Sequence, residues 1–150
     1  MQFVVYYLIH IGSLVVILNF QKEIDNITKE VLLEIDKLPF YQRTNEDRLK
    51  SVGNIYFIYS NNILKYIGQR QAKGIKTRMD QHLFGKSYSV NENNVQNGTV
   101  SKWNKIMEEV DKGNRITFKT ILIQPDNLRT TIELELIKHF KPKWNKQGKS

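Results

Sequence analysis

The chain has 150 residues, enough for one domain or one domain with an appendage, and it contains 40% apolar residues and no cysteine. It can therefore bury a hydrophobic core, but a disulfide framework and a thiolate zinc site are excluded. The net charge is +8, yet residues 1–50 carry −1 and residues 51–150 carry +9. The basic part favours binding of a polyanion, such as nucleic acid or anionic lipid, with a merely solvated basic surface as the alternative.

Residues 1–21 form an apolar N-terminal segment. Fourteen of the eighteen residues from Phe3 to Phe20 are apolar, which is just enough to cross a bilayer as a helix. No Lys or Arg precedes them, so the positive region of a signal peptide is missing, and their Val, Ile and Tyr content also suits buried packing. Three interpretations stay open: a membrane anchor through residues 3–20, a packing segment, and an artefact of an upstream start codon. The location is accordingly cytoplasmic, with membrane association as the alternative.

Residues 22–50 are predicted to be a helical connector. Asp25 or Asn26 can cap a helix that ends before Pro39, and residues 41–50 are polar and typical of a linker. The apolar positions at helical spacing are Ile27, Val31, Leu32 and Ile35.

Residues 51–150 are predicted to form the main domain, which begins with a β-hairpin. Two apolar stretches, 54–59 and 63–67, flank the turn-forming residues Ser60-Asn61-Asn62. The later elements are helices over residues 75–83 and 100–110, a strand over 115–124, and a helix from Pro125-Asp126 that ends before Pro142. The expected fold is therefore an α/β domain with a small three-stranded sheet flanked by helices.

The hairpin carries two short motifs, Asn54-Ile55-Tyr56 and Tyr66-Ile67-Gly68, with nine residues between the tyrosines. They resemble the paired motifs of the GIY-YIG endonucleases. Further motifs follow in the order of that family, carried by Arg78, His82, Glu133 and Asn145. The resemblance implies the fold of that family, and metal-dependent hydrolysis of DNA phosphodiester bonds by direct attack of an activated water.

The position of Glu133 on the last helix points to the same chemistry. At about 100° per residue, Glu133 lies within the apolar stripe of the helix, whereas Glu135 points away. A carboxylate that faces a core is costly unless a cation, a hydrogen-bond donor or a raised pKa compensates. Mg²⁺ or Mn²⁺, held by one carboxylate, waters and phosphate oxygens, is such a compensation, and the resemblance makes Glu133 the metal ligand. A solvated carboxylate at the rim of the stripe is the alternative.

Arg78 and His82 are one helical turn apart, so they share a helix face and can converge on one ligand. The fixed donors of an arginine suit phosphate oxygens, and an ordinary exposed pair is the alternative. The resemblance implies that Tyr56 activates water while Tyr66 and Asn145 complete the site. A phenol can do this only if its pKa of about 10 is lowered, for example by a nearby cation. His82 can help to accept the proton, and the identity of the general base stays open.

Gly68 is expected where a side chain would crowd the backbone near the substrate. The chain departs from the family pattern at two places. Asn54 replaces the first glycine, which is tolerable because Asn adopts left-handed backbone better than most residues. The loop from Gly68 to Arg78 is slightly long, which makes Lys76 the fallback for Arg78.

The tail residues Lys141, Lys143 and Lys146, together with Lys76, are predicted contacts to the DNA backbone, and a solvated tail is the alternative. One site of this kind cuts one strand, so double-strand cleavage needs a homodimer or two successive nicks. A non-catalytic nucleic-acid-binding module, tethered to a membrane by the N-terminal segment, is the alternative function. Other enzyme classes are disfavoured because the sequence has no phosphate-cradling glycine loop, nucleophile elbow or cysteine.

Overall fold

A computed structural model of the protein describes residues 13–71, 78–85 and 97–146, with side chains from residue 20 onward except at residues 78 and 97–101. The chain divides into two compact units, residues 1–37 and residues 38–150. The predicted motifs all lie in the second unit.

The described part of the first unit is a single helix, α1 (Ser13–Glu34), followed by a 3₁₀ turn, Ile35–Lys37. The predicted connector helix is confirmed, but α1 begins well before Asp25 and crosses the expected border at residue 21. The reason is that no glycine or proline interrupts residues 13–34. Among the described residues, no helix is both long and apolar enough to cross a membrane. Residues 3–12 of the predicted anchor, which spans residues 3–20, lie outside the described part.

Four strands of the described second unit form one antiparallel sheet, in the order β1-β4-β2-β3. They are β1 (Tyr41–Gln42), β2 (Ile55–Ser60), β3 (Ile63–Gln69) and β4 (Ile116–Ile121). The expected number of three strands is therefore wrong by one. The additional strand, β1, has two residues and is too short to show an alternating pattern in the sequence.

The polar stretch 41–50, expected to be a linker, contains β1 and the short helix α2 (Asn45–Lys50). The Thr44 side chain caps α2 by accepting a hydrogen bond from the backbone N–H of Asp47 at 3.1 Å. Thr44 with an acidic residue three positions on is a capping signal that could have been read from the sequence.

The predicted hairpin is confirmed, with β2 and β3 joined by a two-residue turn. Asn61 and Asn62 have φ of 47° and 65°, the left-handed values that match the twist of the flanking strands in such a turn. Their side chains fit this role because asparagine tolerates positive φ better than most residues.

The other predicted helices are also present: α3 (Arg78–Phe84), α4 (Asn97–Asp111) and α5 (Arg129–Phe140), the last preceded by a 3₁₀ turn, Asp126–Leu128. Helices α3 and α4 pack on each other, and α5 packs against β3. One core cluster joins the inward side chains of α3 and α4 to one face of the sheet and to Trp144 of the tail. Its buried members are Tyr56, Ile58, Tyr66, Met79, Leu83, Ile106, Ile116, Phe118 and Trp144. The unit is thus a mixed α/β domain, as predicted.

Candidate active site

The hairpin places Tyr56 and Tyr66 on the same face of the sheet. Tyr56 pairs with Gly68 across the two strands and Tyr66 pairs with Ile58, so the two rings are diagonal neighbours with centroids 6.0 Å apart. A Cβ at Gly68 would lie 2.3 Å from Cζ and 2.4 Å from the phenol oxygen of Tyr56. Glycine is therefore favoured at this position because the Tyr56 ring fills the space beside it, and the expected crowding of a substrate stays a prediction.

Helix α3 adds His82 to this pair of rings. The Nδ1 atom of His82 is 3.0 Å from the phenol oxygen of Tyr56, and the imidazole centroid is 5.4 Å from that of Tyr66. His82 and Tyr56 are almost fully buried, at 2% and 0% exposed. A neutral imidazole whose Nδ1 carries no proton accepts the hydrogen bond from the phenol, and this is the arrangement that a proton relay needs.

Two arginines from the segment expected to be a linker hold α3 in place. Arg48 on α2 forms an ion pair with Asp80 at 2.7 Å, and Arg43 donates from Nε to the carbonyl oxygen of Leu83 at 2.8 Å. Asp80 is 3% exposed and lies two residues before His82. Because these bonds fix α3 against the segment that carries Arg43 and Arg48, they also fix the position of the imidazole. Sequence reasoning missed both arginines.

We expect Asp80→Asn to lower the free energy of unfolding by about 3 kcal/mol, because it removes the charged partner of a guanidinium in a largely buried pair. Urea unfolding of the full chain, followed by circular dichroism, measures this loss. Glu46→Gln is the matched control, since it breaks an exposed ion pair with Lys50 on α2 and should cost far less, because solvent screens exposed charges. Equal losses in the two variants would show that the buried pair does not hold α3.

Arg70 places a positive charge near Tyr56. It follows β3, and the alternation of side chains puts it on the same sheet face as Tyr56. Its guanidinium donates to the carbonyl oxygens of Gly53, at 2.8 Å, and Ser51. Burial lowers the pKa of Arg70, while the negative charges of Asp80 and of ionised Tyr56 act in the opposite direction. Arg70 is thus a cation within electrostatic reach of the Tyr56 phenol. The sequence analysis expected such a cation but did not identify the residue.

The expected burial of Glu133 is confirmed: it is 6% exposed on α5. Glu135 is more exposed and pairs with Lys138 at 3.4 Å. The hydroxyl of Thr130, one helical turn before Glu133, donates to the side chain of Gln69 at the end of β3, at 3.0 Å. This contact sets the first turn of α5 against the strand that carries Tyr66 and Gly68.

Glu133 is the residue that could hold a metal ion through a single carboxylate. Among the residues that the structure describes, no group of three or more histidine, aspartate or glutamate side chains could hold a metal ion. Mg²⁺ is commonly bound through one or two carboxylates together with waters and substrate phosphates, rather than in a cage of protein ligands. The buried carboxylate of Glu133 is suited to this second mode.

Asn145 holds the outer edge of β3. Its amide oxygen accepts from the N–H of Ile67 and its amide nitrogen donates to the carbonyl of the same residue, both at 2.9 Å. The next hydrogen bond along this edge, at 2.9 Å, links the N–H of Trp144 to the carbonyl of Lys65. Because β3 is the outer strand of the sheet among the described residues, these bonds satisfy backbone groups that no further described strand meets. Both polar atoms of Asn145 therefore serve to fix the strand of the second motif.

Asn54 makes a similar clamp at the first motif. Its amide donates to the carbonyl of Ile123 and to Asp126, both at 2.9 Å, and accepts from the N–H of Ile123 at 2.7 Å. Its backbone is not left-handed, so the expected reason for asparagine at this position is wrong. Asn54 instead ties the first motif to the turn that leads into α5, the helix of Glu133.

The rings of Tyr56, Tyr66 and His82 form a cluster, here called the ring cluster, and Lys102 on α4 is a member of it that sequence reasoning missed. It is 8% exposed, and its Nζ atom lies 5.2 Å from the centroid of Tyr66. The signal was present in the sequence, because Lys102 precedes the buried Ile106 by four residues and so lies on the same inward face of α4.

Of the remaining predicted residues, some lie outside the described part and the others are exposed in the tail. Arg78 is the first residue of α3, but its side chain, like all of Lys76, is not among those described. The tail lysines are exposed and follow α5 near the Asn145 clamp on β3: Lys141, Lys143 and Lys146. Exposure of this kind is compatible with both DNA contact and a solvated tail.

Comparisons of the chain with protein-family models, with curated proteins and with solved structures gave no match. The functional assignment therefore depends on the motifs and the geometry of this chain.

Proposed function

We propose that the second unit is a GIY-YIG-type endonuclease domain that hydrolyses DNA phosphodiester bonds with Mg²⁺ or Mn²⁺. The observation that carries this proposal is the 3.0 Å contact between the Tyr56 phenol oxygen and Nδ1 of His82, inside a buried cluster with Tyr66. Each of these three side chains occupies a position that the resemblance gives to the nuclease motifs.

In this mechanism Tyr56 and His82 activate the attacking water. The water transfers a proton to the phenol oxygen of Tyr56 while the phenolic proton moves to Nδ1 of His82. The resulting hydroxide attacks phosphorus, and the bond to the leaving oxygen breaks in the same displacement, so no covalent enzyme intermediate forms. The positive charge of Arg70 favours negative charge on Tyr56 during this transfer.

Charge that develops on the phosphate is stabilised by groups around the rings. The resemblance gives Arg78 the contact to a nonbridging oxygen, for which its planar donors are suited. Glu133 would hold the divalent ion, which would supply Lewis-acid stabilisation of the charge that develops during the displacement. Tyr66 donates its hydroxyl to a phosphate oxygen, and Asn145 holds the strand on which Tyr66 stands.

DNA lies along the β3 edge in this proposal. The exposed lysines of the tail, Lys141, Lys143 and Lys146, contact the phosphate backbone near the strand of the second motif. One site cuts one strand, so cleavage of both strands proceeds through two copies of the chain or two successive nicks.

Incubation of the full chain with supercoiled plasmid tests the proposal. With Mg²⁺ or Mn²⁺ we expect conversion to the open circular form, and with a chelator in place of the metal we expect no conversion. Retarded migration of intact supercoiled plasmid under all conditions would instead identify a non-catalytic nucleic-acid-binding module.

A further inference from the structure

The ring cluster contains a buried ammonium group that no step above uses. Lys102 comes from α4, whereas the two tyrosines come from the hairpin and His82 from α3. Its Nζ atom stands over the Tyr66 ring, 5.2 Å from the centroid, and only 8% of the residue is exposed. The contact is therefore part of the interior of the domain, where solvent screens charge weakly.

A cation over a phenol acts on its oxygen. It stabilises negative charge on the oxygen, and it makes the O–H a stronger hydrogen-bond donor to an anion such as a phosphate oxygen. We propose that Lys102 is a positioning residue of the candidate site that acts through Tyr66, by polarising the phenol that holds the phosphate. The catalytic part of this inference depends on the proposed nuclease function, whereas the electrostatic part does not.

Other charged and titratable groups also act on Tyr66. Tyr56 on β2 and His82 on α3 are its ring neighbours, with centroids at 6.0 and 5.4 Å. Helix α5, which packs against β3, carries the buried side chain of Glu133, and Lys102→Met leaves that residue unchanged. A substitution at Lys102 leaves these groups in place, so the change it causes reports on the ammonium.

The test follows the ionisation of Tyr66 by NMR in the full chain, with ¹³C at the Cζ atoms of the tyrosines. The Tyr66→Phe variant identifies the signal of Tyr66 among the seven tyrosines. In Lys102→Met, which keeps the length of the side chain and removes the charge, we expect the midpoint to move to higher pH by about one unit. Lys105→Met, on the same helix, should leave it unchanged, and Lys102→Arg should keep it close to that of the native chain.

The same variants are then compared in plasmid cleavage at saturating DNA. We expect Lys102→Met to lower kcat by at most about tenfold and Lys102→Arg to restore most of it, because one pKa unit is a tenfold factor in the ionisation of Tyr66 and a hydrogen bond from its neutral hydroxyl feels only part of it. An unchanged Tyr66 midpoint in Lys102→Met would overturn the inference. A shifted midpoint in a chain that never cuts DNA would support the electrostatic contact and refute the nuclease function instead.

Discussion

Replacing Tyr56 with phenylalanine should slow DNA cleavage by about 10²- to 10⁴-fold, the range typical for loss of a group that transfers a proton in the transition state. The variant keeps the ring that fills the space beside Gly68 and removes only the hydroxyl that contacts His82. Initial rates of plasmid nicking under saturating Mg²⁺ measure the effect.

A control separates this loss from a change in folding. Removing a hydroxyl from a buried hydrogen bond costs about 1–3 kcal/mol of stability, so the variant should remain folded if the domain has ordinary stability. Tyr59→Phe is the matched control, since Tyr59 lies on the same strand with its side chain on the opposite sheet face. Comparable rates for the two variants would remove Tyr56 from the chemistry.

Replacing Glu133 with glutamine should reduce cleavage by at least about 100-fold, because a neutral amide binds a divalent ion much more weakly than a carboxylate and so leaves charge on the phosphate less stabilised. Glu135→Gln is a control on the same helix, at a side chain that is more exposed and paired with Lys138. We expect that control to cut at close to the native rate. Greater metal concentration should restore part of the lost rate only in Glu133→Gln.

The local patterns of the sequence were sufficient to predict the hairpin and the order of the elements. Two asparagines between apolar stretches gave the turn, because few other residues adopt positive φ so readily. Helical spacing gave the burial of Glu133, since one face of α5 had to pack inward. These features depend on residues close together in the chain.

The missed features depend on contacts between distant residues. Arg48 meets Asp80 across 32 positions, and Asn145 meets Ile67 across 78, so neither partner is visible from local spacing. The strand β1 is defined by its pairing with β4 rather than by its own two residues. The contact between Gly68 and the Tyr56 ring was missed for the same reason, because the two residues lie on different strands.

The central claim is that one site joins a metal on Glu133 to the rings of Tyr56, Tyr66 and His82. Addition of Mn²⁺ to the full chain, followed by NMR of the labelled ring signals, tests it most directly because paramagnetic broadening falls steeply with distance. We predict that the signals of His82 and Tyr66 broaden before that of Tyr59, and that Glu133→Gln abolishes this selectivity. Broadening that spares these rings, or that persists unchanged in Glu133→Gln, would contradict the claim.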